Sequence, residues 1–212
     1  MPLLPVAISA LSLISAPYHH AVTMKISYNG KDAGLAVLTQ SLSSNGTFGF
    51  GETISRKAAG KTQGISYLEV IDKRGLPVRY SIKGVAGSSN LNVAITFGPK
   101  GASVQASSQA KSRKVTVPYP KGVLIQVSAF WFVTMKPKVG AVAAFEEFDM
   151  NSGRWKHRRD IYECDVTITY HGKKVKAHKI THLDGFDVED DFGLPYQAVY
   201  NGASGKTVYE RV

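Results

Sequence analysis

The side chains with the most reactive potential in this 212-residue chain lie near its C-terminal end. His178 and His182 stand four positions apart, so on a strand they face the same side. Asp184, Asp187, Glu189, Asp190 and Asp191 follow on the next loop. Imidazole and carboxylate are both zinc ligands, which makes His178 and His182 candidate metal ligands and a metal-dependent hydrolase one reading of the chain. The spacing matches no specific metal motif, and surface histidines beside a solvated acidic loop produce the same pattern. A second cluster is basic: Arg154, Trp155, Lys156, His157, Arg158 and Arg159 in succession. Such a run suits a surface that docks on anionic lipid or polymer, with the tryptophan favouring the interface. It equally suits a charged hairpin end, and the acidic loop at 184–191 is a further partner for it.

Other chemistries lack their motifs. No Gly-x-Ser-x-Gly elbow is present, and no serine has a catalytic motif around it. No Gly-x-Gly-x-x-Gly follows a strand and opens a helix, and Phe48-Gly-Phe-Gly51 reads as strand rather than phosphate loop. Cys164 is the single cysteine, which rules out an intramolecular disulfide. It sits in a strand-like run and reads as a small buried or half-buried residue rather than a nucleophile. The sequence supplies no catalytic residue and implies no cofactor.

The elements that position these groups read as strands. Ala21–Tyr28 and Leu35–Leu42 flank Asn29-Gly30, a strong hairpin signal. Residues 47–54 form a third strand, with Phe48, Phe50, Glu52 and Ile54 on one face; the odd Glu52 suggests a bulge or an exposed end. Further strands follow at 65–71, 76–83, 91–97, 102–108 and 114–118, then around 145–149, 162–170, 173–183 and 207–212. Gly75-Leu76-Pro77 and Gly193-Leu194-Pro195 each follow an acidic residue and open a strand, the same local turn used twice. The most hydrophobic run, 123–135, shows no alternation; a short buried helix and a buried strand both fit it.

Short connections between about a dozen strands imply antiparallel neighbours in a large curved sheet or open half-barrel, mainly β, with at most one short helix. Residues 21–212 form a single β-rich domain. Residues 1–16 are apolar and end in small residues, as a secretory signal peptide does, which gives a periplasmic or extracellular location. No later segment is long and apolar enough to be a transmembrane helix. Basic residues outnumber acidic ones by 26 to 16, for a formal charge of +10. That attracts anionic partners such as an envelope surface. Nucleic acid is disfavoured, because no recognition element accompanies the charge.

With these pieces placed, the chain resembles a bacterial secreted family of unknown function related in fold to periplasmic lipoprotein carriers, the LolA-like fold. The likeness rests on Tyr28–Gly34, Asp72–Tyr80, Val117–Pro120 with Phe130-Trp131-Phe132 and Pro137–Gly140, then Gly172–Ile180 and Asp190–Pro195. It implies a curved antiparallel sheet wrapped partly around a helix, with an apolar inner face that in the carriers holds acyl chains. Candidates for that face are Phe48, Phe50, Leu68, Val70, Tyr80, Ile82, Val93, Ile95, Phe97, Phe130, Trp131 and Phe132. The expected function is non-enzymatic binding of a lipid or acyl ligand. The alternative is a structural or interaction module with a filled core and a basic docking surface.

Overall fold

A computed structural model describes residues 17–212 apart from 59–60, 87–88, 109–110, 122–135 and 151. The leader, Phe130, Trp131, Phe132 and the helix-or-strand question at 123–135 lie outside the described residues.

Among the described residues, fourteen antiparallel strands form one sheet in the order β8-β7-β6-β5-β4-β3-β2-β1-β14-β13-β12-β11-β10-β9. The N-terminal half runs β1 (Tyr18–Tyr28), β2 (Lys31–Leu42), β3 (Phe48–Ala58), β4 (Lys61–Ile71), β5 (Pro77–Ala86), β6 (Ser89–Gly98), β7 (Gly101–Ser108) and β8 (Lys111–Val117). The C-terminal half runs β9 (Val142–Asp149), β10 (Arg154–Tyr170), β11 (Lys173–Thr181), β12 (Gly185–Glu189), β13 (Pro195–Gly202) and β14 (Gly205–Arg211). Each half is a meander. The first and last strands join them, with Ile26 opposite Tyr209.

Turn chemistry accounts for the short connections. Asn29 and Gly30 both take positive φ, 49° and 77°, as do His171 and Gly172, 48° and 75°. Two left-handed residues in a two-residue loop match the twist of the flanking strands. The two Gly-Leu-Pro segments are the same turn in detail. The Asp72 carboxylate accepts the N–H groups of Arg74 and Leu76 at 2.8 and 3.0 Å; that of Asp190 accepts Phe192 and Leu194 at 2.9 and 3.0 Å. The preceding acid is therefore part of the motif.

The sheet is unclosed but curls until its ends meet. Trp155 of β10 donates its indole N–H to the Pro118 carbonyl beyond β8, at 2.9 Å. Trp155 also packs on Phe148 of β9 and on Phe97 of β6, with ring centroids 5.1 and 6.1 Å apart. These side chains join Phe48, Tyr80, Ile82, Val93 and Ile95 in the larger core cluster. Full burial of an aromatic such as Phe148 stabilises by roughly 2–3 kcal/mol. A smaller cluster of Met24, Ile26, Ala36, Leu38 and Leu194 ties the joined strands β1 and β2 to the second Gly-Leu-Pro turn.

Two expectations need correction. Leu68 and Val70 point outward, Leu68 with 37 % of its surface exposed. Both phases of 65–71 are rich in apolar residues, and pairing decides between them: Leu68 and Val70 lie opposite Gly51 and Gly49, while Tyr67 and Glu69 lie opposite Glu52 and Phe50. Glu52 causes no bulge either. It pairs in unbroken register with Leu38 and Tyr67. Among the described residues no helix is long and apolar enough to cross a membrane.

Candidate ligand-binding cavity

Inward-facing rows run across the strands, and one of them is broken by an acid. Gln40, Phe50, Glu69, Tyr80 and Ile95 are successive cross-strand neighbours from β2 to β6. The parallel row Leu38, Glu52, Tyr67, Ile82 carries a second acid. From the far half of the sheet β9 and β10 bring Glu147, Arg158 and Asp160, and β12 brings Asp187 and Glu189. Between these surfaces lies a partly open cavity of about 500 Å³.

Its apolar wall comes from Leu38, Phe50, Ile54 and Tyr67 on one side and from Phe145, Phe148 and Met150 on the other. Ala198, Tyr200 and Tyr209 of β13 and β14 complete it. The rest is strongly acidic. Glu52, Glu69, Glu147, Asp149, Asp160, Asp184, Asp187 and Glu189 line it, against the cations Arg158, Arg159 and His182. A protein of net charge +10 thus encloses an acidic interior.

Two of the cations are held by carboxylates. Arg158 donates through Nε to Glu147 at 2.7 Å and lies 3.7 Å from Asp184. The basic run therefore does meet the acidic loop. His182 sits between Asp160 at 2.7 Å and Asp187 at 3.0 Å. Burial alone would depress this histidine, but the hydrogen bonds and charges of the two aspartates override it and raise its pKa to about 10. It is an imidazolium at neutral pH. Tyr200 donates to the same Asp187 oxygen at 3.2 Å.

The glutamates respond to burial in the opposite direction. Burial pushes Glu147 up to about 7, even though Arg158 pulls it down. Burial, and then the charge of Glu147, holds Glu69 well above the usual carboxylate range. Burial and then Asp187 do the same to Glu189. Glu52 is raised by burial and partly restored by a hydrogen bond from Tyr209. Four carboxyl oxygens are left without a hydrogen-bond partner among the described residues: Glu69 Oε2, Asp160 Oδ2, Asp187 Oδ1 and Glu189 Oε2. Buried polar atoms without partners are rare, so a group of four around one cavity marks the place where something other than packing is served.

The structure distributes the sequence candidates unevenly. Phe50 lines the cavity; Phe48, Tyr80 and Phe97 belong to the packed core beside it. His178 and His182 have separate partners, since His178 contacts Asp165 and Asp191, each at 2.8 Å, and the Tyr162 hydroxyl at 2.7 Å. Among the described residues no three His, Cys, Asp or Glu side chains are placed to hold a metal ion. The basic run alternates between faces. Trp155 is in the core, Lys156 pairs with Asp149, His157 with Glu146 and Arg158 with Glu147, which leaves Arg154 and Arg159 as its exposed arginines without an acidic partner among the described residues. Cys164 is free and half-buried. Sequence reading missed Glu69, Glu147 and the inward role of Glu189. The signal was available in Glu52, an acid at a position where strand alternation calls for an apolar residue.

No model of a known protein family matches the chain, and no curated protein matches it. A solved structure does. The chain is similar to the crystal structure of a β-barrel-like protein of the domain of unknown function DUF1849 from Brucella abortus. The TM-score is 0.60 over 92 % of this chain and 95 % of that one, at 10 % sequence identity. At that identity the likeness is one of fold. It agrees with a curved all-β architecture shared with a bacterial protein of unknown function.

Proposed function

We propose that this is an exported, non-enzymatic binding protein that encloses an amphipathic envelope ligand, a lipid or acyl chain with a polar head, inside its curled sheet. A periplasmic lipoprotein carrier would use its inner face in the same way. The observation that carries this reading is the cavity. Its volume of about 500 Å³ falls within the usual range for ligand pockets, with an apolar wall and a few convergent polar groups. A core packed for stability alone would not set unpartnered carboxyls around an open space. The apolar, leader-like residues 1–16 support export.

Phe148 provides the readout, because it lines the cavity and packs on Trp155 at 5.1 Å. A Trp131→Phe protein leaves Trp155 as the sole tryptophan. Titration with dodecyl maltoside below its micelle concentration is expected to give a saturable change in Trp155 emission. The change should disappear in Ala198→Phe, which fills the cavity from β13. A flat titration in the open protein, with no accompanying rise in melting temperature, would remove the basis for the proposal.

A further inference from the structure

The cavity's own polar atoms select the head of such an amphiphile. We infer that the cavity takes a ligand with a protonated amine or guanidinium head, gripped by the unpartnered carboxyl oxygens of Glu69 and Glu189. This inference rests on the amphiphile-binding reading above.

Four observations converge on it. First, Glu189 is only 2 % exposed, lines the cavity and offers an Oε2 that receives no donor; Glu69 Oε2 is buried and in the same condition. A buried acceptor without a donor costs about 1–3 kcal/mol, which a donor on the ligand recovers. Ammonium and guanidinium are donor-only groups and match acceptor-only carboxylates. Second, the protein's own deep cations are already engaged, Arg158 by Glu147 and His182 by Asp160 and Asp187. Arg159 is the exposed cation of the lining, so an anionic head that entered the cavity would meet acids beyond it. Third, Glu69 stands between two aromatic neighbours, Phe50 on β3 and Tyr80 on β5. A cation drawn to Glu69 would meet aromatic surface beside it, a favourable pairing of charge and ring quadrupole. Fourth, no three ligating side chains among the described residues suit a metal ion, so the occupant that fits is an organic cation. Burial, then Glu147 and Asp187 respectively, raise the pKa of these two carboxyls, and an entering cation opposes that shift by stabilising their ionised, acceptor-only form.

Isothermal titration of the whole protein with three single-chain C12 amphiphiles separates the outcomes. Dodecylammonium is expected to bind at least ~10-fold more tightly than dodecyl maltoside, a difference of about 1.4 kcal/mol, with dodecanoate weakest. In Glu69→Gln/Glu189→Gln, whose fold is checked by circular dichroism and a cooperative melt, the preference for ammonium over maltoside should vanish. If the double variant does not fold, Glu69→Gln alone should lose at least half of the preference. Equal binding of all three, a preference for dodecanoate, or an ammonium preference that survives in the variants would overturn the cationic head and leave the amphiphile site standing. Binding of none would overturn the amphiphile reading itself.

Discussion

Replacing Asp160 by asparagine removes one of the two carboxylates that hold His182 and keeps the shape of the site. The histidine side chain is 10 % exposed, so its charge is poorly screened by water. Its pKa rises from 6.5 to about 10 on folding. At about 1.4 kcal/mol per pH unit, that rise is worth ~5 kcal/mol of stability. The group is a base with a raised folded pKa. Its contribution is therefore complete below pH 6.5 and disappears as the pH climbs to about 10. If Asp160 and Asp187 share the effect evenly, the Asp160→Asn protein has a midpoint near ~8 and is less stable by ~2–3 kcal/mol at neutral pH. The gap should hold from pH 6 to about 8 and close towards 10. Urea unfolding at half-unit pH steps, followed by tryptophan fluorescence and fitted with a common slope, measures it directly. Proton NMR of the imidazole gives a second view: the wild-type His182 ring should not titrate between pH 5 and 8. A gap absent at pH 6–8, or one that widens above pH 8, would refute the assignment of the Asp160–His182–Asp187 triad as a stabilising ion cluster.

Glu147 works in the other direction. Its pKa rises from 4.5 to about 7, so its neutral form favours the fold below pH 4.5 and that contribution is lost as the pH passes 7. Glu147→Gln should flatten the fall in wild-type stability between those values, and identical pH profiles for the two proteins in urea would contradict this. Asp72 and Asp190 cap equivalent turns and each pairs with an arginine, but Arg74 beside Asp72 is exposed, whereas Arg211, 2.9 Å from Asp190, is only 8 % exposed. Asp190→Ala should cost ~2 kcal/mol more than Asp72→Ala, a melting difference of about 4–8 °C by calorimetry; equal melting temperatures would count against it. A Cβ at Gly185 would overlap the Val199 carbonyl of the paired strand, whereas the one tight contact at Gly51 would be with the Thr39 hydroxyl at 2.5 Å, the end of a side chain that can turn away. Gly185→Ala should therefore lose about 1–3 kcal/mol and Gly51→Ala clearly less, by chemical denaturation.

The strands were legible because their turns are chemically specific. Asn29-Gly30 and the two Asp-x-x-Gly-Leu-Pro segments stop and restart the chain where the structure turns it. The curvature was legible in the series of short-linked strands, but the meeting of the sheet's two ends was not. Contact between Trp155 and Pro118 joins positions 37 residues apart through a side chain, and no local pattern encodes such a meeting. Trp155 read as surface because it stands among cations, yet its ring packs inward on Phe148 and Phe97. For the cavity, sequence reading pointed to aromatics and a curved sheet, and Phe50 is where those ideas meet the site. The acidic half was hidden for a physical reason. An inward glutamate and an exposed one look alike until pairing fixes the phase of the strand, as Glu69 and Leu68 show. Glu52 did break its pattern, and it was the pointer to the cavity, since its side chain meets Tyr209 across the space between β3 and β14.

The central claim is that the cavity between the two halves of the sheet holds a small amphiphile. Native mass spectrometry of the protein, purified without detergent from its native host, is the test. A population heavier than the bare chain by the mass of one amphiphile is expected, released on collisional activation and absent from Ala198→Phe. A bare mass alone, unchanged after incubation with dodecylammonium or dodecyl maltoside, would contradict it.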